Sequence, residues 1–81
     1  MTVIVRLFGP ERTAASRDSL EVKLTGERTC RALRAALAVT CPALRQHLAT
    51  ARFAVNSSFT SDEHTVREGD EVALIGLVSG G

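Results

Sequence analysis

The chain has 81 residues, 44% of them hydrophobic, with ten basic and nine acidic side chains and a net charge of +1. That composition suits one domain with one small core, near the size at which folding without metal or disulfide staples becomes difficult. The near balance of charge excludes a nucleic-acid module built on a concentrated basic face, and no apolar run approaches the roughly 20 residues that span a bilayer.

The opening TVIVRLF (2–8) is rich in β-branched residues and predicts a strand. It follows Met1 with no basic leader or small-residue cleavage site, so a cytoplasmic protein is expected. Gly9-Pro10 stops the strand, and the polar stretch 11–19 reads as turn. LEVKL (20–24) alternates and predicts a second strand, able to pair with the first as a hairpin across a long loop. Thr25-Gly26 breaks it. Thr29 is placed to cap a helix carrying Cys30, Leu33 and Leu37 on one stripe. Cys41-Pro42 ends that helix, and Pro42 opens a further short turn through Leu44 and Leu48. RFAVN (52–56) predicts a strand that runs into a turn. Phe59 stands as an isolated aromatic, 61–65 as loop and Glu68-Gly69-Asp70 as a turn. EVALI (71–75) predicts the last strand.

Two hairpin-like pairs flanking one helix predict an α+β layer architecture, with the first and last strands paired centrally. This is the element order of a ubiquitin-like β-grasp: a mixed sheet of four to five strands with one main helix on one face. The expected division is a β-grasp domain over 1–75 and a flexible tail over 76–81. In the first strand Val3, Val5 and Leu7 form the core side, and Ile4, Arg6 and Phe8 the other. One helix covers one sheet face, so Phe8, Ile75 and Phe59 are expected to form an exposed apolar patch for a partner. A loop folded over the patch is the alternative.

The catalytic inventory is poor. His47 and His64 lack a cysteine or carboxylate at a recognisable spacing and read as surface. Ser57-Ser58 lacks the glycine context of a nucleophile elbow. The acidic residues of 61–71 do not form a calcium loop, and no glycine-rich phosphate cradle is present. Cys30 and Cys41 match no zinc spacing. In a reducing compartment they are not expected to pair, and Cys30 reads as a small core residue. No metal is expected. The nine arginines are scattered and read as solvated surface.

The ending LIGLVSGG is what remains. Glycine has no Cβ, so an extended Gly80-Gly81 can enter a channel too narrow for other residues. It would present the terminal carboxylate to another protein's active site. A carboxylate can attack ATP at the α-phosphorus to give an acyl-adenylate, from which a sulfur nucleophile displaces AMP. Such a carrier needs no catalytic side chain of its own.

VRLFGPER at the start, AVNSSF in the middle and REGDEVALIGLVSGG at the end resemble the MoaD/ThiS family of ubiquitin-like sulfur carriers, most closely its molybdopterin-synthase branch. The resemblance runs over nearly the whole chain. It implies a β-grasp fold and activation of Gly81 by a ubiquitin-activating-like adenylyltransferase that uses ATP. It further implies a thiocarboxylate at Gly81 and no bound cofactor. Leu77, Val78, Ser79 and Gly80 would insert with Gly81 into the large subunit of molybdopterin synthase. That assembly would be a heterotetramer of two small and two large subunits, in which sulfur passes to a pterin precursor. Family interfaces use the open sheet face, in agreement with the patch of Phe8, Phe59 and Ile75. The family commonly has two prolines where this chain has Gly76-Leu77, and glycine there predicts a looser tail. A carrier for another product (thiamin, a tRNA thionucleoside or an amino acid), a ubiquitin-like modifier and an inert interaction module are the other readings.

Overall fold

The structure is a computed structural model that describes residues 1–76. Five strands form one sheet: β1 (Thr2–Leu7), β2 (Ser19–Lys23), β3 (Arg52–Val55), β4 (Ser58–Phe59) and β5 (Val72–Ile75). Their spatial order is β2-β1-β5-β3-β4. The two terminal strands, β1 and β5, lie side by side in parallel at the centre, with Val5 opposite Val72 and Leu7 opposite Leu74. The other pairings are antiparallel. Three helices accompany the sheet: α1 (Gly9–Ala15), α2 (Cys30–Thr40) and α3 (Arg45–Leu48), the last entered through a 3-10 turn at Pro42–Leu44.

The predicted helix is α2. The Thr29 hydroxyl accepts a hydrogen bond from the Ala32 N–H (3.2 Å), satisfying a donor that the helix itself cannot. The 61–66 loop continues the capping. The N–H groups of Cys30 and Arg31 donate to the carbonyls of His64 and Asp62, both at 2.9 Å. Cys30, Leu33 and Leu37 are buried on one side of α2. They join Val3, Val5 and Leu7 of β1, Val22 of β2, Phe53 and Val55 of β3 and Val72 and Leu74 of β5 in a single core. Alternation in the strands therefore delivers one full face to the helix.

The stretch after β1, read as a turn from its polarity, is instead α1. Gly9 adopts φ +52, a conformation that turns the chain sharply out of the strand and that glycine takes without a Cβ penalty. Pro10 then occupies the first turn of the helix, where its missing N–H costs nothing. Ser16 closes the helix in the left-handed region (φ 56°), and the Ser16 and Arg17 N–H groups return to the carbonyls of Thr13 and Arg12. Helix α1 packs against the 3-10 turn, so its role is tertiary.

The arginines also include an exception to solvated surface. Arg34 is half-buried, with its guanidinium 5.2 Å from the Phe53 ring centroid. It donates to the carbonyls of Leu48 and Ala51 and to the Asp62 carboxylate at 2.9 Å. One side chain thereby ties α2 to the end of α3 and to the 61–66 loop. The same hydrogen bond holds the Asp62 carboxyl below the ordinary carboxylate range.

Candidate functional site

Among the described residues, the face of the sheet opposite α2 carries no helix. On it Ile4 and Phe59 are each 54% exposed and Phe8 is 45% exposed. Pairing registers place these side chains relative to one another. Arg6 lies beside Ala73, Ala73 beside Ala54, and Ala54 beside Phe59, giving one row across four strands. The next row holds Ile75 opposite Arg52. The β1–β5 register continued by one residue sets Phe8 beside Ile75. Phe8, Ile75 and Phe59 therefore share one surface, as expected, although Ile75 itself is half-buried. Each exposed aromatic also carries an arginine. The Arg6 guanidinium lies 6.0 Å from the Phe8 ring centroid and that of Arg52 lies 4.8 Å from Phe59. The patch is apolar at its centre and cationic at its margin.

The hairpin that presents Phe59 is held by polar bonds. Asn56 and Ser57 both have positive φ (51° and 70°), the mirror-image turn that matches the twist of a two-residue hairpin. Asparagine tolerates that conformation better than most residues. The Asn56 amide oxygen accepts from the Glu71 N–H (2.9 Å), and its amide nitrogen donates to the Asp70 carboxylate (3.0 Å). The Arg67 N–H and the Asn56 amide lower the Asp70 carboxyl from its ordinary value. These bonds join the β3–β4 turn to the approach to β5, and so the AVNSSF segment to the REGDEV segment.

Beyond Ile75 the chain reaches Gly76, which sits at the Phe8–Ile75–Arg52 edge of the patch. Gly76 lies against Glu11 of α1. Glu11 is 3% exposed, the one buried charged residue among those described. Its Oε2 lies 3.3 Å from Nδ1 of His47 on α3, and its Oε1 has no hydrogen-bond partner among the described residues. His47, expected at the surface without a carboxylate, is half-buried beside one. The sequence reading missed Glu11 because it treated 11–19 as turn. The signal that could have found it was Pro10 at a first helical turn followed by alanines. The predicted tail residues Leu77, Val78, Ser79, Gly80 and Gly81 lie outside the described residues. His64 is exposed. Cys30 is buried within 3.5 Å of the Thr60 hydroxyl, and burial pushes its thiol above the ordinary value. That suits a core residue and not a nucleophile. Among the described residues no cluster of three or more His, Cys, Asp or Glu could hold a metal, and no helix is long and apolar enough to cross a membrane.

A single main helix packed across a five-stranded mixed sheet, with first and last strands parallel at the centre, defines a ubiquitin-like β-grasp protein. The sequence model of the ThiS family matches residues 5–81, and the chain belongs to that family of ubiquitin-like sulfur carriers. No curated protein matches it. Among solved structures it resembles small archaeal modifier protein 1 of Haloferax volcanii (TM-score 0.83, 24% identity, all of both chains covered). It also resembles a putative molybdopterin converting factor subunit 1 from Pyrococcus furiosus (TM-score 0.82, 22% identity, 96% of this chain and 99% of that one). A third relative comes from the complex of subunits 1 and 2 of the molybdopterin-converting factor of Helicobacter pylori (TM-score 0.71, 27% identity, all of both chains).

Proposed function

We propose that this protein is the sulfur-carrying small subunit of a cytoplasmic molybdopterin synthase. The observation that carries the reading is the likeness, over the whole of both chains, to a protein from a two-subunit molybdopterin-converting factor. The open sheet face supports it. Phe8, Ile75 and Phe59 offer an apolar surface continuous with the start of the tail, which suits a large subunit that must hold the domain while the tail reaches its active site.

The Gly81 carboxylate attacks the α-phosphorus of ATP on an adenylyltransferase of the ubiquitin-activating type, and pyrophosphate leaves. Hydrosulfide then adds to the carbonyl carbon and AMP leaves, giving a thiocarboxylate. The carrier binds no cofactor. Docked on the large subunit in a two-plus-two heterotetramer, it delivers this sulfur to a pterin precursor. The diglycine lets the carboxylate approach the α-phosphorus to about 3–3.5 Å through a narrow channel.

Deleting Gly81 shortens the reach by up to about 3.6 Å. Adding an alanine after Gly81 moves the carboxylate past its place and puts a methyl group in the channel. Both variants are expected to fold and to bind the adenylyltransferase, yet to form neither adenylate nor thiocarboxylate. Intact mass spectrometry after incubation with the enzyme, ATP and inorganic sulfide reads the exchange of one oxygen for sulfur on the terminal residue. Equal loading of wild type and both variants would overturn the carrier reading. A ubiquitin-like modifier would instead give amide-linked products on lysine amines, and in self-conjugates these could form on a side chain only at Lys23, the chain's single lysine.

A further inference from the structure

We infer that Glu11 is a positioning residue for the tail, fixing through a tertiary contact the direction in which the chain leaves the sheet. The inference rests on the terminal-carrier reading above. In the family this resembles, the first tail positions are commonly proline, whose ring fixes φ covalently. Here residue 76 is glycine, and freedom at that point would let the reactive terminus sweep a large volume.

The structure removes that freedom from the side. A Cβ built on Gly76 would meet both carboxylate oxygens of Glu11 and lie 2.7 Å from its carboxyl carbon. Gly76 does not have a positive φ, so the demand for glycine comes from Glu11 and not from backbone strain. Any larger residue must push the carboxylate aside. Glu11 is a poor candidate for moving, because it is buried and its Oε2 is engaged by His47. A carboxylate held out of water needs such a partner. Glycine at 76 and glutamate at 11 are therefore one coupled choice. The carboxylate occupies the space that a Cβ at position 76 would need, and on this inference it takes over a proline's task of setting the exit angle. Among the described residues Oε1 has no hydrogen-bond partner, which leaves acceptor capacity beside Gly76.

Coupling of this kind has a signature that independent effects lack. Glu11→Ala removes the seat and loosens Gly76. Gly76→Pro drives a ring into the carboxylate. Together, the ring fits the vacated space and restores a fixed exit by the covalent route. Expected for adenylation of Gly81 is a fall in kcat of about tenfold to a hundredfold in each single variant, because misplacement near 1 Å at a reacting group can cost about a hundredfold. The KM for the carrier, set by the sheet face, should stay within about twofold. The double variant should return to within about threefold of wild type. Should Glu11→Ala fail to fold, Glu11→Val takes its place in the cycle. The heteronuclear Overhauser effect at residue 76 supplies a readout that needs no partner enzyme: ordered in wild type, lost in Glu11→Ala. Single variants adenylated at the wild-type rate, a double variant that shows the product of two losses, or an unchanged Overhauser effect at 76 would each overturn the inference. If wild type is not adenylated at all, the carrier reading fails, and the Overhauser comparison still decides whether Glu11 orders the tail root.

Discussion

The two faces of the sheet are made from the same strands and almost the same kinds of residue, yet they do different work. On the α2 side, Val5, Val72 and Leu74 have essentially no exposed surface. On the other, one residue along, Ile4 and Phe8 lie about half in solvent. Alternation in β1 puts Val3, Val5 and Leu7 on one face and Thr2, Ile4 and Arg6 on the other, with Phe8 following on the second. The difference lies in what covers them: α2, the 3-10 turn and α3 supply Leu33, Leu37, Leu44 and Leu48 to the first, and among the described residues the second keeps Ile4, Phe8 and Phe59 exposed. The open face keeps its apolar residues in solvent, with arginines stacked on its aromatics, as the proposed docking of a partner requires. The covered face holds the fold, and substitutions on the open face are expected to cost little stability.

That contrast can be broken experimentally. The largest expected effect is in the covered core. Phe53→Ala, at a position 1% exposed and packed under Arg34, should lower unfolding free energy by about 3–5 kcal/mol. Urea denaturation measures it, and a loss under about 1 kcal/mol would mean the covered face is not the main source of stability.

A smaller effect sharpens the boundary between the faces. Asp62 and Asp70 both have carboxyls held below their ordinary value, Asp62 chiefly by the hydrogen bond from Arg34 and Asp70 chiefly by the Arg67 N–H. A folded-state value below the unfolded one means stability that is fully present above the unfolded value, about 3.9. It is lost as pH falls through the depressed one. Stability should therefore decline on acidification below about pH 4, and Asp62→Asn should flatten that decline while lowering the neutral-pH plateau. Denaturation midpoints measured as a function of pH report both. A pH slope in Asp62→Asn identical to wild type would show that the Arg34 clamp does not couple to folding.

The smallest stability effect belongs to the open face. Phe8→Glu should change unfolding free energy by no more than about 0.5 kcal/mol. It should nevertheless abolish capture of a molybdopterin-synthase large subunit in a pull-down. Unfolding of Phe8→Glu would assign Phe8 to the core, and undiminished capture would move the partner surface elsewhere.

Much of this was legible from local pattern. The β-branched run at 2–8, the alternation at 20–24 and the stripe of Cys30, Leu33 and Leu37 each encode an element within a few residues. Thr29 before the stripe and Pro42 after it mark the helix ends by chemistry that acts over one turn. Which face of β1 turns inward followed from alternation together with the charge of Arg6 on the opposite face. The sequence did not place Glu11, His47 or Arg34, because each owes its role to residues far along the chain. Glu11 meets His47 and Gly76, and Arg34 meets Leu48, Ala51 and Asp62. A polar stretch such as 11–19 reads as turn until packing supplies a surface for α1 to cover, since an isolated seven-residue helix lacks the length to hold itself. Local interactions determined the elements. Only the tertiary structure decided that a charged side chain would be buried, because that burial depends on a partner 36 positions away whose presence no local pattern records.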